Sequence, residues 1–144
     1  MTATFDKHEL HFLYPENWKL VENEETNDFL EVSLESPEGS IWSVSVFSAN
    51  TEKRALVEHC AAALDEQYQD FEQFDFEGQI GGVDAVGFDS HFYCLDFLVT
   101  AKARAVDVGK RTLNFYCQAE SREFDKSEAV FDAITLSLLN SLKE

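Results

Sequence analysis

The sequence predicts an α+β fold, a single twisted, mostly antiparallel sheet of about six or seven strands with helices packed on it. Three observations carry that expectation. Several runs alternate apolar and polar residues with period two, as half-buried strands do. Two stretches instead repeat apolar residues every three or four positions, as helices do. The connections between strand-like runs are of hairpin length, too short for the crossovers that parallel pairing requires.

Taken in order, the opening stretch alternates weakly around Leu10, Phe12 and Tyr14 and stops at Pro15, as a first strand would. Residues Glu16 to Asp28 are polar and acidic and read as a loop with a short helical turn. Leu30, Val32 and Leu34 alternate with Glu31, Ser33 and Glu35, and Trp42, Val44 and Val46 with Ser43 and Ser45. Pro37-Glu38-Gly39-Ser40 joins these two runs into a hairpin. From Thr51 the period changes. Val57, Cys60, Ala61, Leu64 and Tyr68 form the apolar stripe of a helix of about five turns, with Asn50-Thr51 as its expected N-cap.

Phe71, Phe74 and Phe76 follow, and Gly81-Gly82 marks the next hairpin. Phe88 to Phe92 and Leu95 to Val106 read as strands, the second with Phe97, Val99, Ala101, Ala103 and Ala105 opposite Thr100, Lys102 and Arg104. After a turn at Val108-Gly109-Lys110, Leu113, Phe115, Cys117 and Ala119 alternate with Thr112, Asn114, Tyr116 and Gln118. A closing helix buries Val130, Phe131, Ile134, Leu138 and Leu142, and Asp125 with Glu128 resembles a capping box at its start. The expected order is βββ-α-ββββ-α in one domain spanning residues 1–144.

Composition narrows the function classes. Hydrophobic residues make up 44% of the chain and thirteen Phe dominate its aromatics, which excludes a disordered segment. Asp and Glu number 28 against 11 Lys and Arg, a formal charge of −17 that repels nucleic-acid phosphates and anionic lipid surfaces. No nucleic-acid or membrane partner is therefore expected. Three Cys make no disulfide framework. The start does not read as a signal peptide, so a soluble protein of a reducing, cytoplasmic compartment is expected.

Two motifs carry a family resemblance. His11-Phe12-Leu13-Tyr14-Pro15-Glu16-Asn17-Trp18 is similar to the opening strand and Tyr-Pro-x-x-Trp signature of the PsbP-like superfamily, which includes DcrB-type bacterial proteins. Phe131-Asp132-Ala133-Ile134-Thr135-Leu136-Ser137 resembles that group's last helix with its late Ser. The resemblance implies a scaffold without catalysis. Members include an extrinsic photosystem II subunit, a nuclear import factor that binds the GTPase Ran, and Eag-type effector chaperones. The chain departs from its lipoprotein and lumenal members in showing neither a lipobox nor a targeting peptide. A shared fold does not transmit a partner.

The candidate sites are few. Trp18 is a candidate partner anchor, though four residues beyond Tyr14 it reads better as a plug folded back over the end of the sheet. Between Arg54 and Lys102 ten acidic residues occur without a single Lys or Arg, a surface that keeps the chain soluble or steers a basic partner. Within it, Gln73 to Asp84 faintly resembles a calcium loop, but alternating Phe explains the same letters better. Lys102, Arg104, Lys110 and Arg111 flank one hairpin turn and form a small positive patch unless neighbouring carboxylates pair with them.

The histidines and cysteines show no metal spacing. His59 and Cys60 point about a hundred degrees apart on a helix, and His8 and His11 face opposite sides of a strand-like stretch. Cys60 and Cys117 lie on apolar stripes with no cation beside them to favour a thiolate. No phosphate-binding glycine loop or nucleophile elbow is present.

The expectation is thus a non-enzymatic, cofactor-free protein-interaction domain, an adaptor or chaperone for a basic or amphipathic segment. Its candidate contacts are Trp18, the acidic loop residues Glu22, Glu24, Glu25 and Asp28, and the hairpin residues Lys102, Arg104, Lys110 and Arg111. One alternative is a carrier of a small molecule or lipid with an enclosed, Phe-lined cavity. Another is an enzyme in which His91 and Cys94 converge in a cleft.

Overall fold

Alternation of apolar and polar residues decides which side of the chain each strand buries. The computed structural model describes residues 1–23, 29–47 and 51–142, Asn23 by its backbone alone. Nine strands and two helices lie within them: β1 (Thr2–Lys7), β2 (Leu10–Pro15), β3 (Lys19–Asn23), β4 (Phe29–Glu35), β5 (Ile41–Phe47), α1 (Lys53–Gln67), β6 (Gln69–Ile80), β7 (Val83–Cys94), β8 (Phe97–Val108), β9 (Arg111–Glu120) and α2 (Ser121–Leu142). Strands β3 to β9 form one seven-stranded sheet in the order β3-β4-β5-β9-β8-β7-β6, and β1 pairs with β2 in a separate ribbon. Every pairing is antiparallel. The α+β expectation and its hairpins hold.

The sheet is a wall between two cores. On one side α2 and the β1–β2 ribbon cover Val32, Leu34, Trp42, Val44, Leu113 and Phe115. α2 contributes Phe124, Phe131, Ile134, Leu138 and Leu139, spaced three or four apart and fully or nearly buried. Each such side chain stabilises the fold by about 1.5–3 kcal/mol before ordering costs. On the other side α1 sets Val57, Ala61 and Leu64 against Phe88, Phe92, Ala101, Ala103 and Ala105. The small alanines of β8 let the helix lie close to the strands.

Four local expectations are corrected. Residues 2–7, which precede the first strand expected around Leu10, form β1, whose single buried side chain is Phe5. The β1–β2 turn places His8 at φ 56° and Glu9 at φ 63°. That is a two-residue primed turn without glycine, so His8 sits in a turn and not in a strand. Residues 19–23, read as loop, are the short margin strand β3. Helix caps also differ. Glu52 caps α1, its carboxylate accepting from the N–H groups of Arg54 and Ala55 at 2.9 and 3.0 Å; the expected Asn50 lies outside the described residues. Glu120 caps α2, accepting from the N–H groups of Arg122 and Glu123 at 3.0 and 3.2 Å, five residues before the predicted box begins at Asp125.

Candidate functional site

Strand register brings Phe76, Gly87, Arg104 and Phe115 into one row across β6, β7, β8 and β9. Gly87 has no side chain, so the Arg104 guanidinium lies flat over β7. Its carbon stands 3.8 Å from the centroid of the Phe76 ring, a cation–π contact. The same group donates to the Phe88 and Ala103 carbonyls at 3.0 and 2.9 Å and pairs with Asp89 at 2.7 Å. With its side chain only 13% exposed, Arg104 is a fixed structural element.

Beside it, a cleft of about 340 Å³ opens between this row and α2. Phe76, Ile80, Phe115, Phe131 and Leu136 supply its apolar lining. At the bottom the Trp42 indole N–H donates to Thr135 Oγ1 at 2.9 Å. Lys102 pairs with Glu128 of α2, and Asp132 faces both. Partial burial raises the Asp132 carboxyl above its ordinary value, with Glu128 adding to the rise and Lys102 and Arg104 opposing it. Cys117 also lines the cleft, directly across the strand from Lys102. The thiol does have a cationic neighbour, contrary to the sequence reading. Desolvation outweighs it, and the pKa is pushed up to about 12, so the group stays a neutral thiol. On the opposite face burial pushes Cys60 up to about 11.

A second feature lies at the end of the sheet. The β7–β8 turn holds Leu95 at φ 57°, a conformation a branched side chain adopts at a cost, and leaves it 88% exposed. Phe97 follows at 58% on the α1 side of the sheet, and Phe74 of β6, two strands away on the α2 side, is 53% exposed. Tyr93 and Leu98, paired across β7 and β8, are also exposed. This apolar end borders β6, which carries Asp70, Glu72, Asp75 and Glu77. Sequence reasoning missed it by extending β8 back to Leu95. The signal available was an apolar pair, Leu95 and Phe97, flanking Asp96 at a position where a turn must form.

The sequence-derived candidates do not share one surface. Lys102 and Arg104 do project from the same face, but each is paired with a carboxylate. Lys110 and Arg111 sit at the β8–β9 turn, about 20 Å further along the strand. Trp18 packs edge-on against Phe131 of α2 with ring centroids 5.9 Å apart, half-buried against the α2-side core. Glu22 stands on β3, within 3.6 Å of Lys7 and 3.9 Å of His8. Glu24, Glu25 and Asp28 lie outside the described residues.

His91 shares a hydrogen bond with Thr100, 3.1 Å from ring nitrogen to hydroxyl, on the α2 side of the sheet, whereas Cys94 packs into the α1-side core. The two do not converge. Among the described residues no group of three or more His, Cys, Asp or Glu is placed to hold a metal ion. The residues resembling a calcium loop are extended strands of the β6–β7 hairpin, and Asp75 and Asp84 accept from the amides of Gln73 and Gln79. The Phe-lined space exists, but it is an open cleft and not the enclosed cavity expected of a carrier.

No family model and no curated protein matches the sequence. Solved structures do resemble the fold. Cyanobacterial PsbP (CyanoP) from Synechocystis aligns over 95% of this chain and 89% of its own, at TM-score 0.67 and 12% identity. PA94 of Pseudomonas aeruginosa, a protein of unknown function, aligns over 95% of both chains at TM-score 0.56 and 13% identity. LpqN, involved in cell envelope biogenesis of Mycobacterium tuberculosis, aligns over 96% of this chain and 88% of its own at TM-score 0.50 and 12% identity. The chain has the PsbP-like fold.

Proposed function

We propose that this chain is a non-catalytic protein-binding domain whose partner offers a basic, amphipathic segment. The observation that carries this reading is the exposed apolar end formed by Phe74, Tyr93, Leu95, Phe97 and Leu98, bordered by the acidic strand β6. Large exposed apolar side chains on both faces of the sheet, on a chain of charge −17, suit a partner that buries apolar groups and brings positive charge. Among the described residues no helix is long and apolar enough to cross a membrane. A cytoplasmic setting fits the free thiols of Cys60, Cys94 and Cys117.

The test uses the full chain and a Leu95→Asp/Phe97→Asp variant as baits in source-cell lysate at low and high salt. A partner retained by the wild type, lost by the variant and weakened by salt supports the proposal. Identical, salt-insensitive captures by both baits refute it. A second reading, carriage of a small apolar molecule, is favoured by the cleft lined by Phe76, Phe115 and Phe131. Native mass spectrometry of the purified chain checks it: a co-purifying small molecule released by Phe131→Ala supports carriage, and bare protein across expression hosts removes it.

A further inference from the structure

The seven-stranded sheet has two margins, and they are unequal. β3 is five residues long and mixes Lys19 with Glu22. β6 is twelve residues long, about 40 Å of extended chain, and pairs only with β7 among the described strands. Alternate residues of such a strand turn their N–H and C=O groups away from the sheet, a template for one more strand.

The side chains of β6 say what that strand must look like. Glu72, Phe74, Phe76, Gly78 and Ile80 share the α2 side, where Phe76 and Ile80 pack against the core and Phe74 stands exposed. Gln73, Asp75, Glu77 and Gln79 share the α1 side, where Glu77 reaches Arg54 at 2.9 Å. Pairing is regular from Glu72 to Ile80, beyond the bulge at Gln69/Glu72. A second copy of this chain aligned on the same edge would set its own acidic residues against these, and like charges across strands are destabilising. A strand with Lys or Arg on one face and apolar residues on the other matches both sides at once.

We infer that β6 is a docking strand that takes up an extended peptide of alternating apolar and basic residues as an eighth strand. The apolar residues lie on the Phe74 side, the face that Tyr93 and Leu98 share further into the sheet, and the cations lie on the side of Asp75 and Glu77. The inference rests on the basic-partner reading above and gives it a place and a backbone geometry.

The probe is a labelled ten-residue peptide alternating Val and Lys, titrated into the full chain by fluorescence anisotropy, with amide hydrogen exchange read in parallel. Two further peptides carry N-methyl groups on alternate residues, one in each register, and a fourth has the same composition in two blocks. Addition to β6 predicts new amide protection within residues 69–80. It also predicts about tenfold or greater loss for one N-methylated register and for the block peptide, with the other register tolerated. Asp75→Lys/Glu77→Lys, at an exposed edge where ion pairs contribute little to folding, should weaken binding by a similar factor while leaving the circular dichroism unchanged.

Equal binding by all four peptides overturns strand addition, as does failure of all to bind. Protection confined to residues 93–98 overturns the edge and retains the basic-partner reading. Protection of 69–80 that grows with protein concentration in the absence of peptide identifies a second copy as occupant and also overturns the proposal. The lysate capture with Leu95→Asp/Phe97→Asp fails or succeeds independently of these results, so the two readings are separable.

Discussion

Gly87→Ala should be among the most damaging single-methyl additions to this chain. A Cβ at Gly87 would stand 1.8 Å from the Ala103 carbonyl oxygen, 2.8 Å from its carbon and 3.1 Å from Arg104 Cα. A carbon–oxygen contact relaxes only near 3.3 Å, so β7 and β8 must separate by about 1.5 Å in mid-sheet. Overpacking of that kind costs roughly 1–3 kcal/mol. One or two strained ladder hydrogen bonds add about 1 kcal/mol each, and lifting Arg104 off Phe76 removes about 1 kcal/mol more. The sum is about 3–6 kcal/mol, against a total stability of roughly 5–15 kcal/mol for such a domain. A fall in Tm of roughly 10–20 °C follows for a chain of this size. Urea unfolding followed by the fluorescence of Trp18 and Trp42, with circular dichroism melts, measures it. Gly39→Ala is the control: that residue has φ +91° and nothing within 4 Å, so only backbone strain of about 1 kcal/mol applies. Stability of Gly87→Ala within about 1 kcal/mol of wild type would refute the steric account.

Four further outcomes are expected. Thr135→Val leaves the buried Trp42 N–H without its acceptor and should cost about 1–3 kcal/mol in the same urea assay, whereas Thr135→Ser should be nearly neutral. Asp132 has a raised carboxyl pKa, so its contribution is present in acid and is lost as pH rises through the folded value; Asp132→Asn should match wild type in acid and exceed it in stability at neutral pH. The Cys117 thiol ionises at 9.0 when unfolded and near 12 when folded, so its contribution is intact below pH 9 and drains away between those values. Urea melts from pH 8 to 11 should lose a few kcal/mol, and Cys117→Ala should flatten part of that slope. Leu95→Gly relieves the positive φ and should leave the fold as stable or up to about 1 kcal/mol more so while weakening partner capture, a divergence that paired melts and captures would reveal.

What was legible in the sequence was periodicity backed by burial. β4, β5, β8 and β9 bury every second residue on the α2 or α1 side, and α1 and α2 bury a stripe, so their patterns survive into the letters. β1 was not legible because only Phe5 of its six residues is buried, and its turn uses His8 and Glu9 where glycine or asparagine would have announced it. β3 is short, polar and marginal, and a strand held mainly by backbone pairing to β4 leaves little hydrophobic signature. The caps escaped because Glu at these positions ranks low among capping residues, though its carboxylate reaches the amides. The cleft was unreadable for a different reason. It depends on Phe76, Gly87 and Arg104 falling in register across three strands, and no spacing within one strand encodes that. The sequence allows for carboxylates pairing with Lys102 and Arg104, yet only the packing of α2 on the sheet and the neighbouring of β7 with β8 identify Glu128 and Asp89 as the partners.

The unequal loads on the two sides of the sheet set an order of disassembly. α1 grips its face through three buried side chains, Val57, Ala61 and Leu64, against Phe88, Phe92 and a row of alanines, while α2 alone contributes five large buried hydrophobics and is joined by the ribbon and Trp42. Thermal breathing will therefore lift α1 before it loosens anything on the far side. A protease presented with the native chain should nick residues 53–67 first, and the remaining sheet with α2 should outlast that cut.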